Sequence, residues 1–215
     1  MDRIPVADVF AANQVNAVVF RCSALASWAG VQYTAFYDPQ GEIVLGRRGR
    51  QEKAWTFEPL GYRGAMRDAH NAISLGVGPD GRLHISYDHH GDHLHYRMGV
   101  APGETRFLPE APMTGVREGR VTYPQFVNGP AGQFYFFYRD GGSGNGDLCM
   151  HVLNPAGGGR WRALPQAVVS GEGRSNPYWW RPAVGRWRCR IWRPTRRTFY
   201  EPIREQRSPH HVLRQ

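Results

Sequence analysis

The stretch Ala72-Ile73-Ser74-Leu75-Gly76-Val77-Gly78-Pro79-Asp80-Gly81-Arg82-Leu83-His84-Ile85-Ser86-Tyr87 decides the fold class. Two short apolar-rich runs flank Gly-Pro-Asp-Gly, where a glycine supplies the positive φ that a tight hairpin turn needs. The same unit occurs before it, with Val31–Tyr37 running through Asp38-Pro39-Gln40-Gly41 into Glu42–Leu45. It occurs again after it, with Pro124–Val127 running through Asn128-Gly129-Pro130-Ala131-Gly132 into Gln133–Tyr138. The anchor glycines Gly41, Gly81 and Gly132 are 40 and 51 residues apart. Each unit continues into a further apolar segment marked by an aromatic residue: Trp55-Thr56-Phe57, Thr105-Arg106-Phe107, and Gly158-Gly159-Arg160-Trp161-Arg162. About four strands per repeat of about 40 to 50 residues is the signature of a β-propeller blade. A sandwich of irregular meanders is the alternative on pattern alone.

Composition agrees with an all-β chain. Its 215 residues allow one domain or two small ones, and Gly 26 with Pro 16 suits short strands and tight turns. Hydrophobic residues at 41% and charged residues at 21% exclude a disordered or fibrous protein. No run approaches the ~18 apolar residues of a membrane-spanning helix, so no membrane partner is expected. Cys22, Cys149 and Cys189 are far apart and odd in number, which indicates neither a disulfide framework nor a cysteine zinc site. The start Met1-Asp2-Arg3-Ile4-Pro5 shows no signal peptide, so either the protein is cytoplasmic or the chain begins after its leader.

The net charge of +9 is not spread over the chain. Residues 1–173 carry sixteen Lys and Arg against sixteen Asp and Glu, while residues 174–215 carry eleven Arg against Glu201 and Glu205. A basic arm can hold nucleic acid by counterion release. This one lacks stacking motifs, zinc spacing and amphipathic period, so no nucleic-acid partner is expected. A fourth unit begins at Ser175-Asn176-Pro177-Tyr178-Trp179-Trp180, and after Gly185 alternation and turn signals fail. The expectation is therefore an all-β, partial β-propeller of three to four four-stranded blades over residues 1–185. A basic, irregular tail over 186–215 follows, which we read as a truncation or a shifted reading frame.

Residues able to do chemistry gather in two places. Asp68-Ala69-His70-Asn71 opens the second unit, and Tyr87-Asp88-His89-His90-Gly91-Asp92-His93-Leu94-His95-Tyr96 follows its hairpin. A metal site is one reading of these histidines. The surface is the expected place of His84, His93 and His95, because His84 lies between Leu83 and Ile85 and alternation turns it away from their core. The second place is Thr122-Tyr123-Pro124-Gln125-Phe126 followed by Tyr138-Arg139-Asp140-Gly141-Gly142-Ser143-Gly144-Asn145-Gly146. Pro124 biases Tyr123 towards extended backbone, and Arg139 ends an aromatic strand at a Gly-rich loop, where side chains often face a ligand. Core packing for Tyr123 and a surface cation for Arg139 are the structural alternatives. The loop lacks the Lys-Ser/Thr ending of a phosphate-binding loop.

Residues 68–74, 80–90, 122–126 and 138–146 resemble the bacterial neuraminidase repeat-like propeller family, which includes the ulvan lyases of polysaccharide lyase families 24 and 25. The resemblance covers residues 15–180. It implies seven blades in full-length relatives and cleavage of a uronate glycan by β-elimination. It also implies four catalytic residues. His70 in Asp-Ala-His-Asn and His90, twenty residues on, match the family's two histidines; Tyr123 and Arg139, sixteen apart, match its tyrosine and arginine. Asn71, His89 and Asn145 are the implied substrate-binding residues. The partner implied is an acidic polysaccharide, with a monomeric protein, no cofactor in catalysis, an open question over a structural metal, and secretion or a periplasmic location for full-length relatives. A sialidase needs an arginine cluster and acidic partners, which the neutral body does not offer. A catalytically silent glycan-binding propeller or inactive fragment is the rival from another class.

Overall fold

The computed structural model describes residues 4–7, 9–11, 25–129, 132–153 and 159–172, together with the backbone of strands at 176–183, 186–192 and 199–202. The described residues are all-β, and they form four antiparallel sheets taken in chain order. The first holds β1 (Leu25–Trp28), β2 (Val31–Tyr37), β3 (Glu42–Gly49) and β4 (Thr56–Arg63), each paired with the next. The second holds β5 (Ser74–Val77) and β6 (Leu83–Ser86), followed after β7 (His90–Asp92) by β8 (Tyr96–Met98). A bridge between Gly99 and Phe107 extends that sheet's outer edge. The third orders β9 (Val121–Asn128), β10 (Phe134–Asp140), β11 (Asp147–Leu153) and β12 (Trp161–Ala163), with β7 added to the free edge of β9. The fourth holds β13 (Asn176–Ala183), β14 (Arg186–Trp192) and β15 (Phe199–Pro202).

The expected turns are present. Gly41 (φ 80°) and Gly81 (φ 81°) take the left-handed conformation where a Cβ would clash with the backbone. The Asp38 carboxylate accepts from the backbone N–H of Gln40 and of Glu42, both at 2.9 Å, and locks its hairpin. In the third hairpin Gly129 N–H donates to the Gln133 carbonyl at 2.7 Å.

The sheets stack face to face, as propeller blades must when neither face can be left wet. Tyr33, Ala35, Tyr37, Ile43 and Leu45 of the first sheet pack on Leu75, Val77, Leu83 and Ile85 of the second. The opposite face of the second sheet packs on the third, where Tyr96 meets Val121, Phe126, Phe134, Phe136 and Tyr138. Strand β10 shows the consequence of two covered faces. Phe134, Phe136 and Tyr138 enter that second core, while Tyr135 and Phe137 enter another with Leu148 and Val152.

This stacking overturns one expectation. His84 does turn away from Leu83 and Ile85, but that direction leads into the neighbouring blade rather than to water. It is fully buried, its ring centroid 4.9 Å from that of Phe134, 5.9 Å from Phe126 and 5.8 Å from Trp161. Burial pulls its pKa down to about 4. His93 is exposed and His95 half-buried. Of the basic stretch 186–215, expected to be irregular, residues 186–192 and 199–202 are described and are strands, and the rest of it lies outside the described residues. Its residues 186–192 pair with 176–183, and 199–202 pair in turn with 186–192. Backbone pairing needs no apolar alternation, so strands pair here where alternation and turn signals both fail. Among the described residues no helix is long and apolar enough to cross a membrane.

Candidate active site

The site is assembled where the first three blades meet. His70 lies on the 64–73 connection between β4 and β5, and a turn secured by Asp68 holds it there. The Asp68 Oδ1 accepts from the His70 backbone N–H at 2.9 Å and contacts His70 Nδ1 at 2.8 Å. Its other oxygen contacts His90 Nδ1 at 2.5 Å. The two imidazoles stack with centroids 4.1 Å apart. Burial raises the cost of charge on Asp68, but hydrogen bonds from the His70 backbone, the His90 ring and the His70 ring outweigh it and hold the carboxyl at about 2. Asp68 is therefore a carboxylate at any working pH, and it accepts a ring N–H from each histidine. That tautomer turns both Nε2 atoms away from Asp68.

His90 reaches this position because β7 leaves its own hairpin. It pairs with β9 of the next blade, placing His90 opposite Thr122. Tyr123 follows, with its ring 6.1 Å from His70 and the Arg139 guanidinium 5.0 Å from its own centre. Tyr123 is not extended as its place before Pro124 predicts: its φ is +57°. The cause is a bulge. Phe137 pairs with Gln125 and Arg139 with Thr122, so Tyr123 and Pro124 together oppose Tyr138. One extra residue in a ladder must kink out of it, and the kink aims Tyr123 along the site. A bulky residue at positive φ costs about 1–3 kcal/mol, a strain that concentrates at functional positions.

Arg139 is 2% exposed. Its Nη2 donates to Thr122 Oγ1 at 2.8 Å, while its Nε–H is buried without a protein partner. Burial pulls its pKa down and Tyr123 opposes that pull. Gly146 makes room for its stem, since a Cβ there would lie 2.7 Å from Arg139 Cγ and Cδ. His70, His90, Tyr123 and Arg139 thus form one continuous row of side chains.

The other three expected residues hold the frame. Asn71 is buried, and its Nδ2 donates to the Ala65 carbonyl at 3.2 Å and to Asp88 Oδ1 at 2.7 Å, tying the His70 loop to the segment before His90. His89 is fully buried on the face opposite His90, accepting from the His95 backbone N–H at 2.8 Å. Burial, then His95 and His93, push its pKa well below the usual histidine range. Asn145 is exposed, and its Oδ1 accepts from the Gly142 N–H at 3.0 Å within the loop after Arg139. Sequence reasoning missed Asp68 and Thr122. The Asp-x-His spacing of residues 68 and 70 is the one local signal that pointed to the first.

A family model described as a BNR repeat-containing family member matches residues 31–197. No curated protein matches the sequence. Among solved structures, the polysaccharide lyase Uly1 is similar with a TM-score of 0.68 at 17% identity, over 81% of this chain and 49% of that one. An ulvan lyase of family PL25 is similar with a TM-score of 0.61 at 14% identity, over 86% of this chain and 46% of that one. The same lyase bound to -[GlcA(1-4)Rha3S]- gives 0.61 at 13% identity, over 87% and 47%. The chain spans about half the length of these structures, and at such identities the likeness shows a shared propeller fold.

Proposed function

Starting from the fact that this chain belongs to the BNR repeat-containing family, we propose that it is a polysaccharide lyase-type propeller acting on a 4-linked uronate glycan such as ulvan. The observation that carries the reading is the contiguous row His70, His90, Tyr123 and Arg139. Elimination across C4 and C5 removes the C5 proton and expels the C4 oxygen. The proton is only weakly acidic while the uronate carboxylate keeps its full charge. Arg139, with a buried Nε–H to satisfy, and His90 offset that charge as it spreads into the enolate. His70, its Nδ1 held by Asp68, presents Nε2 as base, and Tyr123 protonates the leaving oxygen. The reverse division, with Tyr123 taking the proton and His70 returning one, is chemically open, because the Arg139 guanidinium stands beside the Tyr123 ring. Asp68 acts as a positioning residue for both histidines. Catalysis by this set requires no cofactor.

A second reading is an anionic-glycan-binding propeller without turnover, favoured by the same guanidinium, which offers a uronate carboxylate a partner whether or not a bond breaks. Incubation with ulvan, following ultraviolet absorbance of the unsaturated uronate, separates the two. The lyase reading expects product that His70→Ala, Tyr123→Phe and Arg139→Ala each nearly abolish. Arg139-dependent binding of an oligouronate with no product supports the second reading. Product formation that survives Tyr123→Phe, or neither binding nor product, refutes these residue roles.

A further inference from the structure

A second cluster of donor atoms lies at the outer part of the second blade, apart from the row that runs from His70 to Arg139. His93 and His95 flank Leu94, which is buried in the core between the second and third blades. Alternation along extended backbone therefore carries both imidazoles to the opposite side together. Glu110 meets them from the returning chain. Backbone hydrogen bonds from Leu108 N–H to the Met98 carbonyl at 2.8 Å and from Ala111 N–H to the Tyr96 carbonyl at 3.2 Å fix that chain against β8.

We propose that His93, His95 and Glu110 form a binding site for a divalent metal ion of the zinc class. One ligand atom from each lies within 4.8 Å of the others. His95 Nδ1 is 3.2 Å from both Glu110 oxygens and His93 Nε2 is 3.9 Å from Oε1. Ligands at 2.0–2.1 Å in a tetrahedron stand about 3.4 Å from each other. The donors already span that separation, so small side-chain turns suffice to close on an ion. Two imidazoles and one carboxylate suit zinc better than calcium or magnesium, which prefer oxygen.

The surroundings orient the ligands as metal sites require. Tyr87 Oη donates to Glu110 Oε2 at 3.2 Å, and Arg97 Nε donates to Tyr87 Oη at 3.0 Å. The His95 backbone N–H is anchored on His89 at 2.8 Å. Arg97 stands 3.9 Å from Glu110 and competes for its charge, but only on the Oε2 side, leaving Oε1 towards His93. His93 lies three residues beyond His90, so an ion here staples the segment that carries His90 to the 107–111 chain.

The test uses the untagged, chelator-treated protein titrated with zinc by calorimetry, and with cobalt while recording visible ligand-field absorption. One ion should bind with micromolar affinity or better, cobalt should show a tetrahedral spectrum, and zinc should raise the melting temperature. His93→Ala, at an exposed position that folding does not need, should weaken binding at least about tenfold, as should Glu110→Gln. Asp68→Asn, in the neighbouring cluster, should leave it unchanged. Absence of saturable binding, or binding that persists in His93→Ala but disappears in Asp68→Asn, overturns the assignment.

Discussion

Buried His84 makes this fold acid-sensitive in a way that one substitution isolates. Its Nδ1 lies 2.7 Å from Tyr96 Oη, which also accepts from Trp161 Nε1 at 3.0 Å. The phenol proton is then directed to Nδ1, so the ring is neutral with its proton on Nε2, a buried atom without a partner. The folded pKa of about 4 lies below the ordinary histidine value of 6.5, chiefly through burial. Between these values the unfolded chain binds the proton and the folded chain does not. Stability from this group is thus intact above pH 6.5 and declines as pH falls towards 4. At 1.36 kcal/mol per pH unit, moving from about pH 7.5 to about pH 5 costs about 2 kcal/mol, approaching about 3 kcal/mol in stronger acid. Urea unfolding followed by tryptophan fluorescence at both pH values measures it. The wild type should lose about 2 kcal/mol more than His84→Gln over that interval, because glutamine removes the titration and keeps a partner for Tyr96. His89 and His151, also depressed by burial, remain in both proteins and cancel. Equal losses in the two proteins would show that His84 is either hydrated or charged in the folded state, and the reasoning would fail.

Gly76→Ala should destabilise by about 1–3 kcal/mol, because its Cβ would lie 2.6 Å from Phe126 Cβ and 2.7 Å from Phe134 Cζ of the next blade. Gly119→Ala, with nothing within 4 Å and no positive φ, should stay within about 0.5 kcal/mol, and an equal effect at both positions would contradict the blade packing. Gly146→Ala should push the Arg139 guanidinium by about 1 Å and lower turnover or oligouronate affinity by about 100-fold at nearly unchanged folding, whereas wild-type function would refute the cradle. Asp68→Asn should change the ring-nitrogen tautomers of His70 and His90 seen by nitrogen NMR; unchanged signals would remove Asp68 from its positioning role.

How much was legible before any coordinates depended on whether the cause was local. Hairpins at Gly41, Gly81 and Gly132 are written in a few adjacent residues, since only glycine takes those backbone angles cheaply. The all-β class and the blade repeat follow from the same short-range signals. His70, His90, Tyr123 and Arg139 were singled out by the resemblance of their motifs to the family, and the structure brings their side chains into one row. Three features were set by pairing and packing between strands, and no short window of sequence contains them. His84 is inside because the third sheet covers the second, so alternation names the side but not what lies on it. Tyr123 turns to φ +57° because β10 offers one residue opposite two, a register fact that outweighs the extended preference before proline. His90 joins His70 because β7 pairs with β9 and because one carboxylate, Asp68, binds both rings. Local chemistry selected which side chains were available, and the stacking of sheets, which alone excludes water and sets distances, decided which of them meet.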